Sequence, residues 1–210
     1  MDQKTALKIL KEGRNTFITG SAGAGKTYVL NEFIDWCNEE NKFLAVTAST
    51  GIAATHLGGQ TIHSFSGIGI HNDVSELNDM FFDKWAFKKF KAPDIRLCDV
   101  LIIDEISMLS AEQFEMIDYV FRKVRRKTGA FGGVQVVVCG DFFQLPPIGR
   151  NGQKPQFATE SSAWEESDFA ICYLTEQHRQ NDDDYNRFRK LHSARVFNNT
   201  DYIINNNRYY

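Results

Sequence analysis

Gly20-Ser21-Ala22-Gly23-Ala24-Gly25-Lys26-Thr27 has the form G-x-x-x-x-G-K-[ST] and lies between a short β-rich run and a helical pattern. Backbone N–H groups converge on phosphate oxygens only where side chains stay out of the way, and the four residues between Gly20 and Gly25 are Gly, Ser or Ala. A helix that starts behind such a loop adds its positive N-terminal end. Lys26 is placed to reach the β- and γ-phosphates, and the Thr27 hydroxyl to ligate magnesium. The plain alternative is a glycine-rich turn with no ligand. A phosphate loop also needs a carboxylate for the metal and a group that activates water. Leu101-Ile102-Ile103-Asp104-Glu105 supplies both at the end of an apolar run, with Asp104 as magnesium ligand and Glu105 polarising the attacking water. An adjacent acidic pair also suits a helix N-terminus, and Ser110-Ala111-Glu112-Gln113 reads as a helix start close by. The expected cofactors are ATP and Mg2+.

These residues have to be held by a scaffold, and the hydrophobic pattern says which. Residues 4–12 carry apolar side chains at helical spacing, Gly13-Arg14-Asn15 break the pattern, and Thr16-Phe17-Ile18-Thr19 reads as a strand. A helix is predicted over 28–41, with apolar residues at 29, 30, 33, 34 and 37 on one face. Short continuous apolar runs follow at 43–46, 100–103, 134–138 and 169–174, and a long helix is predicted over 111–127. Runs without polar alternation, set between helices, suit a parallel sheet covered on both faces. The fold class expected is therefore α/β, a doubly wound, mostly parallel sheet. Residues 68–95 fit the plan poorly and read as an insertion; residues from 181 onward are polar and asparagine-rich, with a short helix predicted over 185–192.

The composition agrees with a folded chain. With 210 residues, 42% hydrophobic and 24% charged, disorder and low complexity are excluded, and there is room for one domain and at most the beginning of another. A net charge of −3 means that a nucleic-acid partner would be met by a local groove and not by a global basic field. The four cysteines, at 37, 98, 139 and 172, form no metal or disulfide framework and read as small buried hydrophobes in a reducing compartment. No apolar stretch approaches the ~18 residues of a membrane span and no signal segment opens the chain, so a cytoplasmic location without membrane contact is expected, with use at a nucleoid or in a nucleus left open.

The third apolar strand ends in Cys139-Gly140-Asp141-Phe142-Phe143-Gln144-Leu145-Pro146-Pro147. Here the chain resembles the PIF-type DNA helicases of superfamily one, relatives of RecD. The resemblance rests on separate stretches in the family's order: 20–27, Val46 to Ala54, Thr61 to Gly67, Ile102 to Met108, the strand end just quoted, and Leu174-Thr175-Glu176-Gln177-His178-Arg179-Gln180. It implies a RecA-like P-loop lobe over 1–175, with 68–95 inserted. It also implies ATP-driven movement of single-stranded DNA in the 5′ to 3′ direction.

The resemblance carries roles to particular residues. Gln144 would sense the γ-phosphate, or else be a turn residue before two prolines. Arg179 would be an arginine finger, because a planar bidentate cation best meets charge developing in phosphoryl transfer; the alternative is a surface ion pair with Asp182, Asp183 or Asp184. Gln3 resembles the family's adenine-reading glutamine, against an exposed helix residue. For the DNA strand, Thr50 and Gly51 would offer a hydroxyl and backbone N–H groups to a phosphate. His63 and Ser64 would contact the backbone, and Phe65 would stack on a base. The opposing reading makes Phe65 core and His63 a buried, hydrogen-bonded histidine. Two basic clusters stay ambiguous: Arg122 to Lys127, as a solvated helix end, and Lys84 to Lys91, whose Phe82, Ala86 and Phe90 recur at helical spacing.

Only 31 residues follow Arg179, against the ~100 of a second lobe. Residues 176–210 read as the incomplete start of a second RecA-like lobe or a linker, so the expected partners are single-stranded DNA and a second lobe in a longer chain or another one. Without it, feeble hydrolysis and no unwinding are expected. The alternative function is a nucleotide-dependent binding module that grips DNA or a partner without translocating.

Overall fold

The computed structural model describes residues 1–69, 74, 77, 92–147 and 156–175. Met1–Glu176 form one compact unit, while Arg179, the stretch 81–91 and the helix expected at 185–192 lie outside the described residues. Six strands build its sheet: β1 (Thr16–Gly20), β2 (Leu44–Ala48), β3 (Gln60–Thr61), β4 (Val100–Asp104), β5 (Gln135–Cys139) and β6 (Ala170–Leu174). Their order across the sheet is β3-β2-β4-β5-β1-β6, and every pairing is parallel.

The strands read as unbroken apolar runs because both faces are buried, and the alternation sorts each run between two cores. In β4, Val100 and Ile102 face one core and Leu101 and Ile103 the other; in β5, Val137 and Cys139 oppose Val136 and Val138. The first core takes α1 (Gln3–Lys11) and α2 (Lys26–Glu39), through Ala6, Leu10, Val29, Leu30, Phe33 and Cys37. The second takes α4 (Ile62–Ser66), α5 (Ala92–Leu97), α6 (Ala111–Arg125) and α7 (Ser162–Ser167), with Phe114, Phe121 and Phe131 among its largest buried side chains. A further helix, α3 (Gly51–His56), leaves the end of β2. All four cysteines are free and buried, and burial pushes their thiols above the ordinary range, Cys98 to about 12. No described helix is long and apolar enough to cross a membrane.

Two departures from the sequence pattern have local causes. Ala92 and Ile95, inside the stretch expected as an insertion, belong to α5 and are buried in the second core. The basic end of α6 is not simply solvated. Arg122 pairs with Asp118 at 2.6 Å and with Glu166 at 2.6 Å. Arg125 donates to the carbonyls of Ile95, Arg96, Cys98 and Gly132. Together with Asp118, which accepts from Phe131 N at 2.6 Å, they hold the left-handed turn Phe131-Gly132-Gly133 and the end of α5 beside the beginnings of β4 and β5.

Candidate active site

Parallel strands bring all their C-terminal ends to one edge, where an α/β sheet receives ligands. Here β5 lies between β1 and β4, so the glycine-rich loop, the acidic pair and the Gly140–Gln144 turn issue from three neighbouring strands. Gly20 has φ +142, and a Cβ there would stand 2.6 Å from the Leu174 carbonyl oxygen. Gly25 has φ +85 and serves as the left-handed N-cap of α2, so Lys26 and Thr27 occupy the first turn, two residues earlier than the apolar periodicity indicates. The Lys26 ammonium donates to the carbonyls of Gly20 at 2.6 Å and Ser21 at 3.3 Å, the loop's own acceptors. Gln3 lies against this loop: its amide donates to the Ala24 carbonyl at 3.5 Å, and any side chain at Gly25 would collide with it. Asp2 caps α1 through Thr5 N at 2.7 Å and so fixes the helix that carries Gln3.

Asp104 ends β4, and its Oδ1 accepts from Glu105 N at 2.9 Å. Glu105 is a non-glycine residue in the left-handed region, at φ 54 and ψ 44. Such a conformation costs about 1–3 kcal/mol and persists only where the surroundings over-determine it. Ser49 supplies part of that restraint: its N donates to the Asp104 carbonyl at 3.0 Å and its hydroxyl to the Glu105 carbonyl at 2.8 Å. Burial raises the Glu105 carboxyl above its ordinary value, the charges of Asp104 and Asp141 add to the rise, and Lys26 opposes it. The acidic pair does not start α6: Glu105 leads only into a single 3-10 turn, Ile106–Met108, without capping it through its side chain, and α6 begins separately at Ser110, where Ser110 and Gln113 form a reciprocal capping box.

On the β5 side, Phe142 points inward and packs on Phe17, Phe157 and Trp164 at centroid distances of 5.5, 5.4 and 6.0 Å. That anchor leaves Gln144 exposed on the turn, its amide donating to Asp141 Oδ2 at 3.2 Å. The set of hard oxygen donors here, Thr27, Asp104, Glu105 and Asp141, fits magnesium, which takes one or two carboxylates and completes its shell with phosphates and water. Among the described residues no cluster of three or more His, Cys, Asp or Glu makes an all-protein metal cage.

The residues expected to meet DNA divide. Thr50 caps α3, its hydroxyl accepting from Ala53 N at 3.3 Å; Gly51 is exposed with open space around it, and Ser64 is exposed. His63 is half-buried, its Nε2 3.0 Å from the Gln113 amide nitrogen. Because Gln113 Oε1 already accepts from Ser110 N, that amide nitrogen is the donor and His63 the acceptor. Phe65 corrects the expectation of a base-stacking platform. It is 5% exposed and sits in the second core with its ring 6.2 Å from that of Phe121. Phe65 lies three residues after Ile62, on the buried side of the same turn, while Ser64 stays outside. Ser49 and Asp141 were missed as site residues; their only sequence signal is a polar residue at the end of an apolar strand.

A family model described as PIF1-like helicase matches residues 1–205. The chain is 52% identical over 182 residues to the ATP-dependent DNA helicase Pif1 of a Psychrobacter species, covering 86% of this chain and 27% of that one. It is 41% identical to the ATP-dependent DNA helicase PIF1 of Saccharomyces cerevisiae, over 87% of this chain and 21% of the other. Among solved structures, the Pif1 helicase of Candida albicans superposes with a TM-score of 0.78 at 40% identity, over 87% of this chain and 41% of that one. A Bacteroides Pif1 helicase in complex with ADP-AlF3 and ssDNA gives 0.76 at 31% identity, over 88% and 44%. The chain thus spans about a quarter of the length of the curated relatives it matches.

Proposed function

The chain belongs to the PIF1-like helicase family, and from that membership we propose that it is the ATP-hydrolysing lobe of a DNA helicase, coupling ATP binding and hydrolysis to movement along single-stranded DNA. The observation that carries the reading is the convergence of the Gly20–Thr27 loop, Asp104-Glu105 and the Asp141–Gln144 turn at one edge of the sheet. In the mechanism, backbone N–H groups of the loop receive the phosphates of ATP, and Lys26 exchanges the Gly20 and Ser21 carbonyls for β- and γ-phosphate oxygens. Thr27 and Asp104 would hold magnesium, which would supply positive charge to offset that of the phosphates. Glu105, ionised, accepts hydrogen bonds from the attacking water and draws its proton as the γ-phosphoryl transfers. Gln144 turns toward the γ-phosphate, Gln3 contacts the adenine, and Arg179 offers a guanidinium to the developing charge.

Thr50, Gly51, His63 and Ser64 form the contact to the DNA backbone, a sequence-independent mode. The Bacteroides relative bound to ssDNA supports single-stranded DNA as the partner, and the 5′ to 3′ direction follows from the family. Residues 1–175 are the first RecA-like lobe, and a second lobe closes over the same nucleotide. An arginine finger is worth roughly 10³ to 10⁵ in rate, so the chain with Arg179 but without the further catalytic arginine of a second lobe hydrolyses ATP at ~10⁻² per second or less.

The test is ATP hydrolysis by the 210-residue chain with and without single-stranded DNA, with Lys26→Ala as blank. ATP binding with slow turnover that the substitution removes is the expected result. Steady turnover above about one per second by the monomer overturns the single-lobe reading. A chain that binds neither ATP nor DNA overturns the helicase reading altogether. A rate indifferent to DNA that is nonetheless bound favours the second reading, a nucleotide-dependent binding module.

A further inference from the structure

The loop assigned to DNA and the turn assigned to water activation are bonded to each other through one side chain. Ser49 immediately precedes Thr50 and Gly51, and it grips the acidic pair twice, N to the Asp104 carbonyl at 3.0 Å and hydroxyl to the Glu105 carbonyl at 2.8 Å. The Glu105 carbonyl also accepts from Met108 N at 3.1 Å, so the peptide that sets the Glu105 backbone angles is shared between this turn and the Ser49 loop. The turn has no slack on its other side. A Cβ at Gly140 would stand 3.0 Å from Ile106 Cγ2 and 3.1 Å from Ile106 N, so the end of β5 is packed against it. Close-packed neighbours transmit a displacement where a loose loop would absorb it.

A second feature shows that the turn is not fully satisfied in this conformation. Ser107, two residues after Glu105 and 1% exposed, holds the one buried side-chain polar atom among the described residues that lacks a hydrogen-bond partner. A buried hydroxyl is ordinarily bonded. An orphan hydroxyl beside a left-handed glutamate belongs to a turn whose present conformation leaves polar groups unmatched.

We propose that Ser49 is a positioning residue that couples engagement of single-stranded DNA at Thr50 and Gly51 to the setting of Glu105, through its hydroxyl on the Glu105 carbonyl. The inference rests on the helicase-lobe reading above and names the physical link inside it. A phosphate held by the Thr50–Gly51 loop shifts Ser49, the shared peptide follows, and the Glu105 carboxylate moves relative to the attacking water. A misplacement of about 1 Å at such a group alters rate by roughly 10²-fold, so a small displacement is enough.

The test compares Ser49→Ala and Ser49→Thr with the unaltered 210-residue chain. Three quantities are read: single-turnover ATP hydrolysis with and without a dT oligonucleotide, dT affinity by fluorescence anisotropy, and affinity for a fluorescent ATP analogue. Ser49→Ala is expected to keep both affinities within about twofold and to lower the DNA-stimulated rate about tenfold more than the basal rate. Ser49→Thr, which keeps the hydroxyl, restores it. Stimulation unchanged in Ser49→Ala, or a loss matched by an equal loss of dT affinity, overturns the coupling. So does an unaltered chain that binds ATP and dT yet hydrolyses at one rate with and without dT; a chain that binds neither instead overturns the reading beneath it. Ser107→Ala gives an independent measurement should Ser49→Ala not fold. Deleting the orphan hydroxyl is expected to raise Tm while lowering DNA stimulation, and stimulation that stays unchanged overturns the coupled turn.

Discussion

Lys26 and Arg125 make the same kind of bond, a cation donating to backbone carbonyls, at opposite edges of one sheet. Lys26 sits on two carbonyls of its own loop, where β1 ends. Arg125 spans four carbonyls on two separate segments, Ile95, Arg96 and Cys98 on one side and Gly132 on the other, where β4 and β5 begin. The difference is one of replaceability. The carbonyls under Lys26 are local acceptors that the phosphate oxygens of the proposed ligand would outcompete, so the ammonium would be held there until that ligand arrives. Those around Arg125 have no other partner of comparable reach, and the guanidinium fork fixes the geometry of the segments it joins. One edge of the sheet carries charges that change partner, and the other carries charges that do not.

The largest expected effect is on the edge that changes partner. Glu105→Gln lowers hydrolysis by about 10²- to 10⁴-fold, the usual worth of a positioned proton acceptor. The pH dependence has a definite sign. Burial and the neighbouring Asp104 and Asp141 raise the Glu105 carboxyl above 4.5, and in the proposed role it works only when ionised, so hydrolysis is expected to fail on the acid side above that value. Stability runs the other way: a carboxyl raised in the folded state contributes stability that is complete below 4.5 and lost as pH rises through its folded value. Glu105→Gln therefore raises Tm at pH 7, and the gain shrinks toward pH 4.5, measured by thermal melts across that range. A Tm lowered at pH 7 would show that the charge is compensated in the fold.

Lys26→Ala comes next, with a loss of roughly 10²- to 10³-fold in hydrolysis, as for removal of one fixed donor to a developing charge. Its Tm falls by less than that of Arg125→Ala, because it leaves two part-buried carbonyls of one loop and not four carbonyls on two segments. Arg125→Ala reverses the pattern. Removing a cation from four carbonyls is expected to cost about 2–3 kcal/mol of stability, by analogy with hydrogen bonds to charged groups, and to lower Tm by roughly 4–12 °C. ATP affinity in the folded fraction stays the same. If Arg125→Ala weakens ATP binding at a temperature where it is fully folded, the two edges are not separable.

The separation of the two edges was only half visible in the sequence, and distance along the chain explains which half. The glycine-rich loop and the acidic pair are local patterns, each complete within a few residues, and the strands holding them were readable because a run buried on both faces stays apolar throughout. Helix α6 was placed at its start by Ser110 and Gln113, and it stops at Arg125 because Arg126 turns left-handed, φ 56. Helices of five or six residues, such as α4 and α7, complete too few turns to show a period. The bonds that define the edges are long-range: Ser49 to Glu105 spans 56 residues, His63 to Gln113 spans 50, and Arg125 reaches back to Ile95. No local pattern announces such a partner, so Arg122 and Arg125 read as a solvated helix end and Ser49 as nothing in particular.

Phe65 tests where the working edge stops, since its helix α4 carries exposed Ser64 toward the surface and packs Phe65 against α6. A ring that is 5% exposed cannot offer its face to a base without vacating the second core. Phe65→Leu keeps the site apolar and nearly filled, so a loss of about 1 kcal/mol is expected, near the lower end for core truncations. The dT affinity then changes by less than about twofold, because a stacking contact worth roughly 1–3 kcal/mol per base was never made. Ser64→Ala, on the outward side of the same turn, weakens dT binding instead. A tenfold loss of affinity in Phe65→Leu, with the Tm barely moved, would mean that the ring leaves the core to meet the strand, and the boundary between fixed and exchanging contacts would then run through α4 itself.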